Sequence, residues 1–409
     1  MRPQAWFAAA ALLGAFLSPA PALGGQGRAC ADAARPVSVR CARAVTPFVD
    51  GHGGLWLAWA HGGHVYVQHA ETPEAPLSPP RVVNRSPEEV AAFGEHRPKL
   101  AVDAAGRVHV TWTRRGARRF SGDVRYSRSL DGGRSFSEPV TLNSDRQEIG
   151  HRFDVLAVDA AGRLVVAWLD KRDRTRAEAA GRRYRGAALY YRWSADGGAR
   201  FQPDRKLVDH TCECCRLALA AEPEGGLVLL WRHIFEGGVR DHALMRLAEP
   251  GRPGVMRRAS FDGWRIDACP HHGPALAVEA HGVWHLAWYT GAGPQPGLRY
   301  ARTRDGGRSF SPPVRFGDPQ ADAGHPALLA VGRRIHLAWR EFDGRRSRIL
   351  GMRSEDGGET WSTARVLAEV PGEADYPYLV AWRDRVFLSW QTRQAGYRRV
   401  ELTVRPEGG

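Results

Sequence analysis

An alternating apolar strand that ends in tryptophan recurs seven times in this chain of 409 residues: Leu55–Trp59, Val108–Trp112, Leu164–Trp168, Leu227–Trp231, Trp284–Trp288, Ile335–Trp339 and Val386–Trp390. Successive tryptophans lie 53, 56, 63, 57, 51 and 51 residues apart. A unit of this length cannot bury its own apolar face, so a fixed period of this kind requires neighbouring units to stack into a solenoid or close into a propeller. Each unit has the same internal order. A small apolar strand such as Leu100-Ala101-Val102 turns into the Trp strand, a third strand such as Val124–Ser129 follows, and a fourth such as Pro139–Leu142 ends the unit. With 46 Gly and 27 Pro supplying turns and no sustained helical period, the pattern predicts an all-β, single β-propeller of four-stranded blades. Seven blades are counted; six is the alternative if a terminal unit is degenerate. The last unit runs out of chain after its third strand, near Val404, and Pro36–Arg40 is expected to supply its outer strand and close the ring. Ser86-Pro87-Glu88-Glu89, with capping-box spacing, predicts one short helix.

The turn between third and fourth strands carries the most specific motif. It reads Ser129-Leu130-Asp131-Gly132-Gly133-Arg134-Ser135-Phe136, and returns from Ser194 to Phe201, Thr303 to Phe310 and Ser354 to Trp361. Asp accepts N–H bonds inside its own turn, Gly supplies positive φ, and the aromatic packs beneath the blade. On these four copies the chain resembles the sialidase-like Asp-box (BNR-repeat) β-propellers over nearly its whole length. The resemblance implies that the Asp-boxes are structural and lie on the face opposite the site.

If so, the top face carries the segments that lead into each inner strand. They present His96-Arg97, His151-Arg152, Cys214-Cys215-Arg216, His271-His272, His325 and Tyr376 toward the central channel. The resemblance implies a carboxylate-binding Arg97, in His96-Arg97-Pro98, and a nucleophilic Tyr376, in Tyr376-Pro377-Tyr378-Leu379. It further implies Asp123 as acid/base, Glu213 as the carboxylate that polarises the tyrosine, and Arg232, Arg240 and Arg340 as further anion ligands. Arg152, Arg216, His96, His151, His272 and His325 complete the expected binding set. The element before Pro98 lacks the family's Ile, and Pro377 stands where the family has Ser. The expected function is binding of an anionic glycan or other acidic ligand at the channel mouth, with exo-sialidase-type glycoside hydrolysis as the enzymatic form. The alternative is a non-catalytic propeller that binds metal or serves as an interaction scaffold.

Residues 1–23 read as a secretory signal: Arg2, an apolar run from Trp6 to Leu17, and Ala20-Pro21-Ala22 for cleavage near residues 22–24. This predicts a periplasmic or secreted propeller over 24–409, without a membrane-spanning helix and monomeric. In that compartment six cysteines point to disulfides: a local Cys30–Cys41 pair, and interloop pairs among Cys212, Cys214, Cys215 and Cys269. No cofactor is called for on this reading. The competing reading of the same four cysteines is a copper or zinc site of thiolates with His210, His271 or His272. Net charge is +14, and all basic residues but Lys99, Lys171 and Lys206 are arginine. GC-rich coding gives such an arginine bias without a functional cause; its functional reading is a preference for anionic partners, while scattered arginines and the lack of any recognition motif argue against nucleic acid.

Overall fold

A computed structural model describes residues 37–402 except Pro250. The signal segment and Cys30 therefore lie outside the described residues. Seven antiparallel sheets follow one another along the chain, six of four strands and the last of three. Their inner strands are Val45–Val49, Lys99–Val102, His151–Val158, Ala218–Ala221, Ala275–Val278, Gly324–Val331 and Tyr378–Trp382, which head blades 1 to 7. Each inner strand contacts the next, and that of blade 7 contacts that of blade 1, so the ring is closed.

The seven repeat tryptophans are among the most deeply buried side chains, none more than 2% exposed. A buried indole N–H needs an acceptor, and every one has a partner. Trp59 donates to Gln68 at 3.1 Å, Trp112 to Glu88 at 2.7 Å and Trp168 to Asp170 at 2.8 Å. Trp231 meets His233 at 3.4 Å, Trp288 donates to Asp262 at 2.7 Å, Trp339 to Glu341 at 2.9 Å and Trp390 to the Asp375 carbonyl at 2.8 Å. The repeat is thus an apolar wedge between sheets with one polar anchor per blade.

The four Asp-boxes share two bonds. Asp131, Asp196, Asp305 and Asp356 each accept the N–H four residues on at 2.9 Å. The hydroxyl two residues before each Asp accepts from the second glycine at 2.7–2.9 Å. Both glycines of every box have φ between 63° and 81°, a region that disfavours any residue with a Cβ. Phe136, Phe201, Phe310 and Trp361 pack onto the apolar layers between blades. These turns lie on the face opposite the segments that lead into the inner strands.

Three local expectations are corrected. Val39–Cys41 is a 3-10 turn, not an outer strand, and it packs at the seam of blades 7 and 1 through Val39 and Ala42. Closure comes instead from inner-strand contacts and a side-chain clasp described below. Ser86–Glu89 is not helical, because the Glu88 N–H bonds the Gly63 carbonyl at 2.8 Å and its carboxylate holds Trp112 and Arg125. A helix unforeseen in the sequence, Arg172–Ala179, sits in the top loop of blade 3 and accounts for the longest spacing, 63 residues. Among the described residues no helix is long and apolar enough to cross a membrane.

Candidate functional site

The segments leading into the inner strands converge at the top of the channel on Glu95, which is 7% exposed. Its carboxylate accepts the Gly273 N–H at 2.9 and 3.0 Å, the Arg216 N–H at 3.2 Å and His325 Nδ1 at 3.0 Å, with Arg216 Nη1 at 3.5 Å. One carboxylate from blade 2 therefore ties together loops of blades 4, 5 and 6. Burial pushes Glu95 up, but Arg216, the His325 hydrogen bond and the Gly273 N–H outweigh it and hold the carboxyl well below its ordinary value. Arg216 also donates to the Pro274 carbonyl at 3.0 Å and the Pro326 carbonyl at 2.5 Å. Gly273 has no room for a Cβ, which would lie 2.1 Å from Arg216 Cγ.

Beside this hub runs a four-ring ladder. Tyr289 stacks on His272 (centroids 4.1 Å), His272 on His325 (4.9 Å), and His325 on Tyr376 (3.4 Å). Burial pushes His272 down to about 3 and Tyr376 up to about 12, the latter helped by Glu95. Arg97 is 1% exposed and clasps Asp375 through both Nη atoms, at 2.7 and 2.5 Å, while Nη1 also donates to the Val45 carbonyl at 3.2 Å. This clasp joins blades 2, 1 and 7 across the seam. Lys99 donates to the Arg97 carbonyl at 2.7 Å, and burial pushes its amine down to about 8.

Over blades 3 to 5 the top face differs in character. A cleft of about 620 Å³ is lined by Arg174, Arg183, Arg185, Arg240 and Arg265, with Glu213 and Asp267 as its acids. Glu213 is already engaged by Lys171 at 2.8 Å and Arg174 at 3.2 Å. Among the described residues Arg183, Arg185, Arg240 and Arg265 have no carboxylate partner. Next to the cleft lie Cys212, Cys214 and Cys215, all buried, and exposed Cys269. The Sγ of Cys212 is 3.7 Å from that of Cys214 and 3.6 Å from that of Cys215, against about 2.05 Å in a disulfide. The expected interloop disulfides are therefore not formed here: all four are thiols. The expected Cys30–Cys41 pair falls partly outside the described residues.

The BNR repeat-like domain family matches residues 154–388, more than half of the chain. The protein belongs to that family. No curated protein matches it. Among solved structures it is similar to a Hadza microbial sialidase, with 18% identity over 83% of this chain and 74% of that one, at a TM-score of 0.50. It is similar too to an ulvan lyase, with 12% identity over 90% and 92% of the two chains at a TM-score of 0.54. A third is an α-L-arabinofuranosidase from Fusarium graminearum, with 13% identity over 75% and 92% at a TM-score of 0.50. At these identities the likeness is one of fold.

Within this BNR repeat-like propeller Arg97 and Arg340 both approach Tyr376, whereas Asp123 and Glu213, expected to serve the same chemistry, are held by other partners. Arg97 is saturated by Asp375 and backbone. Arg232, 2% exposed, donates to the carbonyls of Arg240 (3.0 Å), His272 (3.0 Å) and Tyr289 (2.8 Å). Arg340 pairs with Asp322 at 3.1 Å, its guanidinium 5.4 Å from the Tyr376 ring. Asp123 is bound by Arg114 at 2.6 Å and Asn143 at 2.9 Å; burial raises its carboxyl, but these two bonds hold it below its ordinary value, the wrong direction for a proton donor. Glu213 holds Lys171 and Arg174, not Tyr376. His151 is buried, 3.0 Å from the Gly122 carbonyl and flanked by Asp145 and Asp170. His96 stacks on Phe153 and meets Arg152 at 3.2 Å. His210 contacts the Arg185 backbone at the rim of the cleft.

Sequence reasoning missed Glu95 and Asp375. Both stand one residue ahead of a singled-out position, before His96-Arg97 and before Tyr376, so an acidic residue at the start of the lead-in was the available signal.

Proposed function

We propose that this BNR repeat-like protein is an exported propeller that binds an anionic glycan, or a similar acidic chain, in the arginine cleft over blades 3 to 5. The observation that carries the reading is the four guanidiniums of Arg183, Arg185, Arg240 and Arg265, which face one cleft without carboxylate partners among the described residues. Guanidinium is the group best matched to carboxylates and sulfate esters, and clustering it uncompensated costs stability that a polyanion restores. The sialidase, ulvan lyase and arabinofuranosidase neighbours act on glycans according to their names, which is consistent with a glycan ligand. The channel axis is a poorer place for it, because Glu95 fills its top with a negative charge.

The test is calorimetric titration with uronate and sulfated oligosaccharides. Arg185→Ala with Arg265→Ala should weaken binding about tenfold or more, since a charge-assisted contact is worth about 1.5–3 kcal/mol. Arg134→Ala on the Asp-box face should leave it unchanged. Equal loss from both variants refutes the cleft. One observation favours a hydrolytic reading, the approach of the Arg97 and Arg340 guanidiniums to within 5.8 and 5.4 Å of the Tyr376 ring. Turnover of an aryl sialoside that Tyr376→Phe abolishes would establish it.

A further inference from the structure

The sulfur cluster beside the cleft has a geometry that the anionic-ligand reading does not use, and it shares only Arg240 with the guanidiniums of that reading. Cys212, Cys214 and Cys215 lie within 4.8 Å of one another, and Cys214 is in turn within 4.8 Å of Cys269 and His271. Two loops far apart in sequence build it. One runs from the last strand of blade 3 into blade 4 and supplies three sulfurs; the other leads into blade 5 and supplies Cys269 and His271. The first loop is held by the Cys212 N–H donating to the Arg232 carbonyl at 2.9 Å.

Two independent observations point to a ligand for these sulfurs. The first is spacing. Metal–sulfur bonds of about 2.3 Å in a tetrahedral site put the sulfurs about 3.8 Å apart. The Cys212 separations of 3.7 and 3.6 Å fall close to that edge. The second is charge. Arg152, Arg232 and Arg240 have no carboxylate partner among the described residues, and each has a buried Nε without a hydrogen-bond partner. Arg240 Nη1 points at Cys212 Sγ from 3.3 Å. Neutral thiols give these guanidiniums nothing to balance. Thiolates do, and a site of several thiolates on one cation keeps a net negative charge that flanking guanidiniums offset.

We propose that Cys212, Cys214 and Cys215, with Cys269 as fourth ligand and His271 beside it, form a binding site for a thiophilic closed-shell cation, copper(I) or zinc(II). Soft sulfur donors select these ions over calcium, magnesium or manganese. Because Cys269 and His271 are exposed while the other three sulfurs are buried, the ion reaches the site from the top face. Binding releases the thiol protons to solvent and needs no redox partner when the ion arrives as copper(I) or zinc(II). The same site explains why Cys-x-Cys-Cys and Cys-Pro-x-x-Gly-Pro occur on adjoining lead-in loops. Gly273 of the second motif is pinned by Glu95, which fixes the loop that carries Cys269.

The test uses the full chain, reduced and kept free of oxygen. One arm titrates it with copper(I) against a chromophoric copper(I) chelator, the other with zinc(II) against a chromophoric zinc chelator. One ion per chain is expected in at least one arm, and the arm with the tighter binding identifies the cation. X-ray absorption of the loaded protein should show sulfur at about 2.3 Å. Cys212→Ser with Cys215→Ser should weaken binding at least 100-fold. Cys269→Ser, at an exposed position, is the variant least able to disturb folding, and should remove one sulfur from the metal shell with an unchanged circular dichroism spectrum. Failure of wild-type protein to outcompete either chelator better than the double variant overturns the proposal. So does recovery of the four cysteines as two disulfides from an oxidising compartment supplied with both metals. Glycan titration of metal-free protein reads the arginine cleft separately, so either reading can fail without the other.

Discussion

Glu95→Gln changes one oxygen of the channel hub to an amide while keeping its volume. In the wild type both oxygens accept: Oε1 from His325 and Gly273, Oε2 from Gly273 and the Arg216 N–H. Glutamine retains one acceptor and turns an NH2 toward donors that surround the other, while Arg216 loses its only carboxylate neighbour among the described residues. Removing one member of a buried charge pair costs about 3–5 kcal/mol, mostly the penalty of the charge left behind. For a chain of this size that is a fall in melting temperature on the order of 4–6 °C. The pH dependence follows from the sign. Glu95 is held below its unfolded value, so its contribution is full above about pH 4.5 and is lost as pH falls toward the folded value. Urea denaturation of both proteins from pH 7 to pH 3 should show a constant gap down to about pH 5 and a narrowing gap below it. A variant that melts within a degree of wild type at pH 7 would refute the hub as the element that ties blades 2, 4, 5 and 6 together.

Arg97→Met should destabilise by about 3–5 kcal/mol by leaving buried Asp375 unpaired at the seam, and Asp375→Asn should rescue part of it; equal urea midpoints for wild type and Arg97→Met would remove the clasp. Trp168→Phe deprives Asp170 of a donor at 2.8 Å, with a cost of about 1–3 kcal/mol beyond that of the smaller ring, measured as a shift in urea midpoint. Gly273→Ala forces its Cβ against Arg216, whereas Gly162→Ala meets nothing within 4 Å and suffers only its positive φ; thermal melts should rank Gly273→Ala as much the more damaging. Burial lowers His96, His242, His272 and His325, so the unfolded chain takes up protons near pH 6.5 that the folded one refuses. Stability should therefore fall as pH drops below about 6.5, and a flat profile from pH 7 to pH 5 would contradict it.

Local chemistry made the architecture legible. A repeat tryptophan wedges between sheets because its own strand alternates, and an Asp-box closes because Asp, Ser and Gly occupy neighbouring positions. Neither needs the rest of the chain, so seven blades could be read from spacing alone, whereas the face on which the Asp-boxes lie followed from the resemblance to the Asp-box propellers. Blade order brings the lead-in segments to one end of the ring, where Glu95 meets Arg216, Gly273 and His325. What each does there was not legible. Arg97 reads as a carboxylate binder until Asp375, 278 positions away, takes both its Nη atoms. Glu95 has no local partner, and its His325 lies 230 positions along the chain. The four cysteines read first as bridges, with ligation as the competing reading, because only the packing of two blades sets the distances between their sulfurs. The outer strand expected at Pro36–Arg40 failed for the same reason: at the seam, packing of Val39 and Ala42 against blade 7 favours a turn. Residue type and spacing determine a blade, because its bonds close within some 55 residues. The site is decided by ring closure, because a buried charge acquires its role from whichever partner the tertiary fold delivers to it.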